Sequence, residues 1–159
     1  MKKKLSVLVM DVDGTLTDGK IHIAATGESF KSFYVKDGYG INVVLPAHGI
    51  IPVIITGRTS EIVAHRAREL RIQHLYQNVH NKAKVLQNIV LEMGVPLENV
   101  ACIGDDLNEL PMMQLCGICG CPSDAVSEVK AACDYVCEAP GGHGAVREFI
   151  EWMTQMDED

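Results

Sequence analysis

An apolar run, Leu5 to Met10, ends on two carboxylates two residues apart, Asp11 and Asp13, followed by Gly14, Thr15, Leu16 and Thr17. This junction restricts the fold more than any other feature of the chain. An apolar run of this length reads as a buried strand. Open α/β sheets bind their ligands beyond the carboxyl ends of such strands, where both acids stand. A single D-x-D-G can also be a surface turn, so the companions downstream carry the weight.

Those companions follow the same rule. Thr56, Gly57 and Arg58 come after the apolar segment Ile51 to Thr56, with Pro52 near its start. Lys82 opens the helical pattern Asn81 to Met93. Gly104, Asp105 and Asp106 come after Val100 to Ile103. Between and beyond these lie expected helices at Tyr39 to Ala47, Ser60 to Leu70, Asn108 to Met113, Ser127 to Ala131 and Gly144 to Met153, and short strands at His74 to Tyr76, Gly117 to Cys119 and Tyr135 to Val136. Strands separated by helices predict an α/β fold with three layers, a Rossmann-like parallel sheet covered by helices on both faces. Lys20 to Ile23 and Ser29 to Val35 alternate and flank Gly27, which predicts a β-hairpin flap at about residues 18–35. Residues 1–159 are read as one domain with no room for a large cap.

The charges suggest the chemistry. Asp11, Asp13 and Asp105 or Asp106 would crowd carboxylates together, which is costly unless a hard cation joins them; Mg2+ with oxygen ligands suits the set. A bound magnesium attracts phosphate, Thr56 can donate to its oxygens, and Lys82 supplies positive charge. A carboxylate in line with phosphorus can attack it and form an aspartyl-phosphate. A second carboxylate two residues on can protonate the departing alcohol and later deprotonate water.

In this combination, Asp11-Val12-Asp13-Gly14-Thr15-Leu16-Thr17, Thr56, Lys82 and Gly104-Asp105-Asp106 resemble the haloacid dehalogenase superfamily of aspartate-nucleophile phosphatases. Lys36-Asp37-Gly38-Tyr39-Gly40, Ile55-Thr56-Gly57-Arg58 and Gly141-Gly142-His143-Gly144-Ala145-Val146-Arg147-Glu148 narrow the resemblance to its 3-deoxy-D-manno-octulosonate 8-phosphate phosphatases. The resemblance implies that Asp11 is the nucleophile and Asp13 the general acid and base. It implies that magnesium takes the Asp11 side chain, the Asp13 backbone carbonyl and Asp105, with Asp106 organising metal-bound water. Thr56 and Lys82 would hold phosphate, and Gly14, Thr17, Lys36, Gly57, Arg58, Asn108 and His143 are the candidate substrate contacts. It further implies a sugar-phosphate substrate, a step toward lipopolysaccharide, and a homotetramer whose neighbouring flaps and C-terminal tails shape the sugar site.

Arg58 could pair with a sugar carboxylate, and because the related nine-carbon phosphatases can carry an acidic residue at this place, the resemblance implies the eight-carbon substrate. Two departures bear on that reading. His143 stands where the family often has arginine, and Asn108 stands where an aspartate is common, still able to accept from Lys82 but without an ion pair. Lys36 either faces the site or anchors the flap, and Asp37 braces the following helix. Gly38 and Gly40 suit a close approach to substrate. A phosphatase for a nine-carbon, sialic-acid-like 9-phosphate and a non-catalytic interaction protein retaining the fold are the alternatives.

Composition excludes other partners. The net charge of −7 disfavours nucleic acid. The Lys2-Lys3-Lys4 run reads as the solvated start of the first strand, and the apolar run behind it is too short for a signal peptide. No stretch could span a bilayer. The six cysteines read as reduced thiols of a cytoplasmic protein, with Cys116, Cys119 and Cys121 close enough in sequence for zinc to be conceivable.

Overall fold

The computed structural model describes residues 4–156. Lys2 and Lys3, and the acidic tail of residues 157–159, lie outside the described residues. In chain order the elements are β1 (Val7–Met10), β2 (His22–Ala24), β3 (Gly27–Phe30), α1 (Val35–Tyr39), a π-helical turn (Gly40–Val44) running into α2 (Leu45–Ala47), β4 (Ile51–Ile55), α3 (Glu61–Glu69), β5 (His74–Tyr76) and α4 (Lys82–Met93). Then come β6 (Val100–Ile103), a 3-10 turn (Leu107–Glu109), α5 (Leu110–Met113), β7 (Ile118–Cys121), α6 (Ser127–Ala132), β8 (Tyr135–Val136) and α7 (Ala145–Gln155).

Six strands form one parallel sheet in the order β5-β4-β1-β6-β7-β8, so the first strand of the chain lies inside it. The side chains of β1 explain its unbroken apolar run. Val7 and Val9 enter the core that α4, α5 and α6 share, while Leu8 and Met10 enter the one shared by α3, the α1–α2 stretch and α7. With both faces covered, alternation has no physical basis. The chain moves from β1 to β4 and β5 on one side, then returns to β6 on the other. That reversal opens a crevice beside the tip of β1. Met10 pairs in register with Ile54 and Ile103. Asp11, Ile55 and Gly104 therefore emerge level with one another, with Thr56 and Asp105 one residue beyond.

Local chemistry sets the helix ends. Ser60 opens α3 and its hydroxyl accepts from Val63 N at 3.2 Å. Asn81 caps α4 through Lys84 N, and Gly94 closes it at φ +67°. The expected flap is present in shorter form, β2 against β3 antiparallel. Val35, expected to end its second strand, instead begins α1. Tertiary packing decides this. Asp37 and Gly38 are buried, a Cβ on Gly38 would press on Arg66, and one on Gly40 would press on Ile150 and Arg147. The close approach these glycines permit is to α3 and α7, not to substrate. Asp37 likewise braces the far end of the chain and not the following helix, accepting from Arg147 N at 2.9 Å.

All six cysteines are unpaired. Cys116, Cys119 and Cys121 do not converge on a metal-binding geometry among the described residues, where only Asp11, Asp105 and Glu109 do so. No helix among the described residues is long and apolar enough to cross a membrane.

Candidate active site

Asp11 is the first residue beyond β1 and is buried. Its Oδ1 accepts from Lys82 Nζ at 2.8 Å. Lys82 reaches it from the first turn of α4, and the same ammonium donates to Glu109 Oε1 at 2.9 Å. The side chains of Lys82 and Glu109 are 2% and 1% exposed, so the three charges meet away from water. Glu109 also accepts on Oε2 from the backbone amides of Asp105, at 2.9 Å, and Asp106, at 2.8 Å. One buried carboxylate thus ties Lys82 to the loop beyond β6. Thr15 donates its hydroxyl to Asp105 Oδ1 at 3.2 Å.

Oxygens of Asp11, Asp105 and Glu109 lie within 4.8 Å of one another. Of these three carboxylates, Asp11 and Glu109 share one ammonium, and Asp105 pairs with none among the described residues. Burial, with the charge of Glu109 adding to it, pushes Asp11 up to about 6 against the pull of Lys82. Burial, then the charges of Asp11 and Glu109, push Asp105 up to about 8. Burial opposes the charge of Lys82, yet Asp11 and Glu109 hold its ammonium above the ordinary lysine value. A donor set of clustered oxygens with surplus negative charge fits a hard divalent cation.

Asp13 pairs with a different lysine. Its Oδ1 accepts from Lys31 Nζ at 2.7 Å, with the lysine side chain 2% exposed and that of Asp13 20%. Asp11, Asp13, Thr56, Gly57, Arg58, Asp105, Asp106, Asn108 and Glu109 line one cleft of about 180 Å3. Small-molecule sites commonly enclose roughly 300–1,000 Å3, so the cleft suits a phosphate group and leaves the rest of a substrate outside it.

Glycines set the closeness of this packing. Gly14 has φ +94°, and a Cβ there would overlap the Asp105 carboxylate. A Cβ on Gly141 would overlap the Gly14 carbonyl, so the segment preceding α7 rests directly on the loop after β1.

Several expected contacts lie elsewhere. Thr17 is buried and shapes that loop, its hydroxyl accepting from Gly14 N at 3.3 Å and Gly19 N at 3.2 Å. Lys36 is exposed and outside the cleft, its carbonyl accepting from Arg147 Nη1 at 3.3 Å. His143 is exposed, with Nδ1 3.0 Å from the Gly141 carbonyl, and does not line the cleft. Asn108 lines the cleft but is exposed; the acid that pairs with Lys82 is its neighbour Glu109. Asp106 caps the 3-10 turn, accepting from Leu107 N at 2.7 Å, and stands outside the acidic trio. Glu109 and Lys31 fall outside the sequence motifs, whereas Thr15 is one of the two hydroxyls of the first motif. Glu109 carried a readable signal: Asp106 and Glu109 have the spacing of a capping box, which the structure forms. Lys31 carried none.

The family model of haloacid dehalogenase-like hydrolases matches residues 71–150. The 3-deoxy-D-manno-octulosonate 8-phosphate phosphatase of Salmonella typhi is 40% identical over 151 residues, spanning 95% of this chain and 80% of the relative. This chain belongs to that phosphatase family, within the haloacid dehalogenase-like hydrolases. The Haemophilus influenzae member is 37% identical over 153 residues, spanning 96% of this chain and 84% of its own. The cobalt-bound H. influenzae structure superposes with a TM-score of 0.94 at 36% identity, covering 98% of this chain and 91% of that one. The Moraxella catarrhalis phosphatase, solved with magnesium, phosphate and KDO, gives a TM-score of 0.92 at 38% identity, covering 97% and 88%. The parallel sheet and absence of a large cap are the fold of this family.

Proposed function

We propose that this protein is a magnesium-dependent phosphomonoesterase that hydrolyses 3-deoxy-D-manno-octulosonate 8-phosphate to the free sugar acid and phosphate. One observation carries the reading: Asp11, Lys82, Glu109 and Asp105 converge at the tips of β1 and β6, with Asp13 beside them, in a member of this phosphatase family. Asp11, Asp105 and the Asp13 carbonyl would hold Mg2+, which when bound neutralises the clustered carboxylates and the phosphate oxygens.

With Oδ1 held by Lys82, the other oxygen of Asp11 attacks phosphorus. The bond from phosphorus to the sugar oxygen breaks, and Asp13 gives that oxygen a proton. Lys82 stabilises charge on the transferring group and Thr56 holds one of its oxygens. Water then attacks the aspartyl-phosphate, Asp13 takes its proton, phosphate departs and the Asp11 carboxylate returns.

Arg58 stands exposed at the cleft, suited to a bidentate pair with the sugar carboxylate. His143, folded onto Gly141, is not posed for that work in a single subunit. We further propose one domain over residues 1–159, its flap at about 18–35 acting as lid, in a cytoplasmic homotetramer serving lipopolysaccharide synthesis. The small cleft supports assembly, as do Ile23, Phe30, Val35 and Tyr39, large apolar side chains left exposed on the flap and α1.

The test is steady-state phosphate release with magnesium, comparing the eight-carbon 8-phosphate with a nonulosonate 9-phosphate at matched concentrations. A large kcat/KM preference for the former is expected. Preference for the latter would move the substrate to nine carbons and keep the mechanism. Turnover of neither would overturn both substrate assignments. Light scattering should show four copies; an active monomer would remove the subunit-built sugar site.

A further inference from the structure

We propose that Lys31, carried by the flap, is a positioning residue for Asp13, holding one carboxylate oxygen so that the other is the one that exchanges the proton. The proposal rests on the hydrolytic reading above. A lysine ammonium is almost never buried without a partner, and the Lys31 side chain is 2% exposed with its Nζ 2.7 Å from Asp13 Oδ1. Lys20 and Lys36, the other lysines at the flap and its exit, are exposed.

The flap is itself fastened. Glu28 Oε1 accepts from the Ser60 hydroxyl at 2.7 Å, and Glu28 Oε2 lies 3.9 Å from Lys31 Nζ. Ser60 is the cap of α3 and so part of the scaffold. A polar relay therefore runs from α3 through Glu28 and Lys31 to Asp13. The flap contributes a cation to the site, besides any covering of substrate.

The second oxygen, Asp13 Oδ2, has no hydrogen-bond partner among the described residues. In the first half-reaction its proton passes to the sugar oxygen as the bond to phosphorus breaks. The carboxylate left behind already lies against an ammonium, so no charge has to be reorganised at that moment. In the second half-reaction the same oxygen takes a proton from water. Lys31 gains and loses none.

A proton donor matters most for a poor leaving group. Phenyl and p-nitrophenyl phosphate have nearly the same shape, but the nitrophenolate departs without a proton. With magnesium, and with enzyme in excess so that only the first half-reaction is read, Lys31→Met should lower the single-turnover rate of alcohol release about 100-fold on whichever sugar-acid phosphate the wild type prefers. The loss should be smaller on phenyl phosphate and under about 5-fold on p-nitrophenyl phosphate. Lys31→Arg should recover most of the loss. Asp13→Asn should show the same ranking, and adding Lys31→Met to it should lower that rate no further. Equal losses on all three substrates, or undiminished turnover of the sugar phosphate, would overturn the proposal while leaving the hydrolytic reading intact. A wild type that turns over none of them removes both. If Lys31→Met does not fold, Glu28→Ala unfastens the flap without touching the acid. It should cost about 3- to 10-fold on the sugar phosphate and spare p-nitrophenyl phosphate, and uniform loss or none again overturns the proposal.

Discussion

The strand tips and the flap meet over one cleft, yet different forces hold them. At the strand tips Asp11, Lys82 and Glu109 are locked between two apolar cores, and parallel register fixes their levels. The flap is two short strands whose residues are mostly exposed, a unit that is marginal by itself. Charged contacts from Glu28 and Lys31 tie it to Ser60 and Asp13. Charges built into the sheet are preorganised and immobile. Charges on the flap depend on the few polar contacts that fasten it. The lesson is a division of labour: the buried charge cluster belongs to the sheet, while the cation against Asp13 comes from the flap.

The largest effect expected tests the rigid side. Asp11→Asn should abolish turnover, by at least about 10^4-fold, while the protein stays folded; full activity in a phosphate-release assay would remove Asp11 as nucleophile. Lys82→Met should lower kcat about 10^3-fold. It should also destabilise the protein by several kcal/mol in denaturant titrations, because Asp11 and Glu109 would be left buried without their cation. An unchanged midpoint would mean that these acids are not clamped as described.

Titration separates the regions further. Asp11 and Asp105 have folded values raised to about 6 and about 8. Between the ordinary carboxylate value and these, the folded state binds more protons than the unfolded state. The stability each contributes is therefore present at about pH 4 and is lost as pH rises through 6 and 8. Metal-free protein should melt at a lower temperature at pH 8 than at pH 5, and magnesium should raise the melting temperature more at pH 8. A metal effect independent of pH would break the link between carboxylate crowding and cation binding.

Smaller effects lie at the periphery. Arg58→Ala should raise KM for the sugar-acid phosphate about 10-fold with kcat retained; a loss in kcat alone would assign Arg58 to the chemistry. Asp37 is pushed up to about 6, chiefly by burial. Its stability contribution likewise falls as pH rises through about 6, so Asp37→Asn should stabilise the protein above that pH by on the order of 1–2 kcal/mol. The asparagine can still accept from Arg147 N. Melting curves at pH 5 and 8 should show the larger gain at 8, and an equal gain at both would exclude the carboxylate charge as the cause.

Two near misses show where legibility stops. The turn after Asp105 was expected to offer Asn108 to Lys82, and it offers Glu109. The capping box that Glu109 forms with Asp106 directs its side chain inward and leaves Asn108 on the outside. The sequence leaves Lys36 either facing the site or anchoring the flap, and in the structure Lys31 is the lysine that reaches an acid of the site. Val35 looked like strand, and the burial of Asp37 and Gly38 against the rest of the protein turned it into the start of α1, carrying Lys36 out to solvent.

The sequence by itself determined which strands end in acids, which helix begins with lysine, and that these belong to one sheet with one site. Such features are written in short stretches, because burial on both faces demands an unbroken apolar run and strand ends demand polar residues within a few positions. Tertiary structure alone decided which acid faces Lys82, which flap lysine faces Asp13, and what the glycines before α7 pack against. Those pairings join residues from 18 to 127 positions apart, as in Lys31 with Asp13 and Gly141 with Gly14. Shifting a turn or strand by one residue changes the direction of its side chains without changing their local pattern.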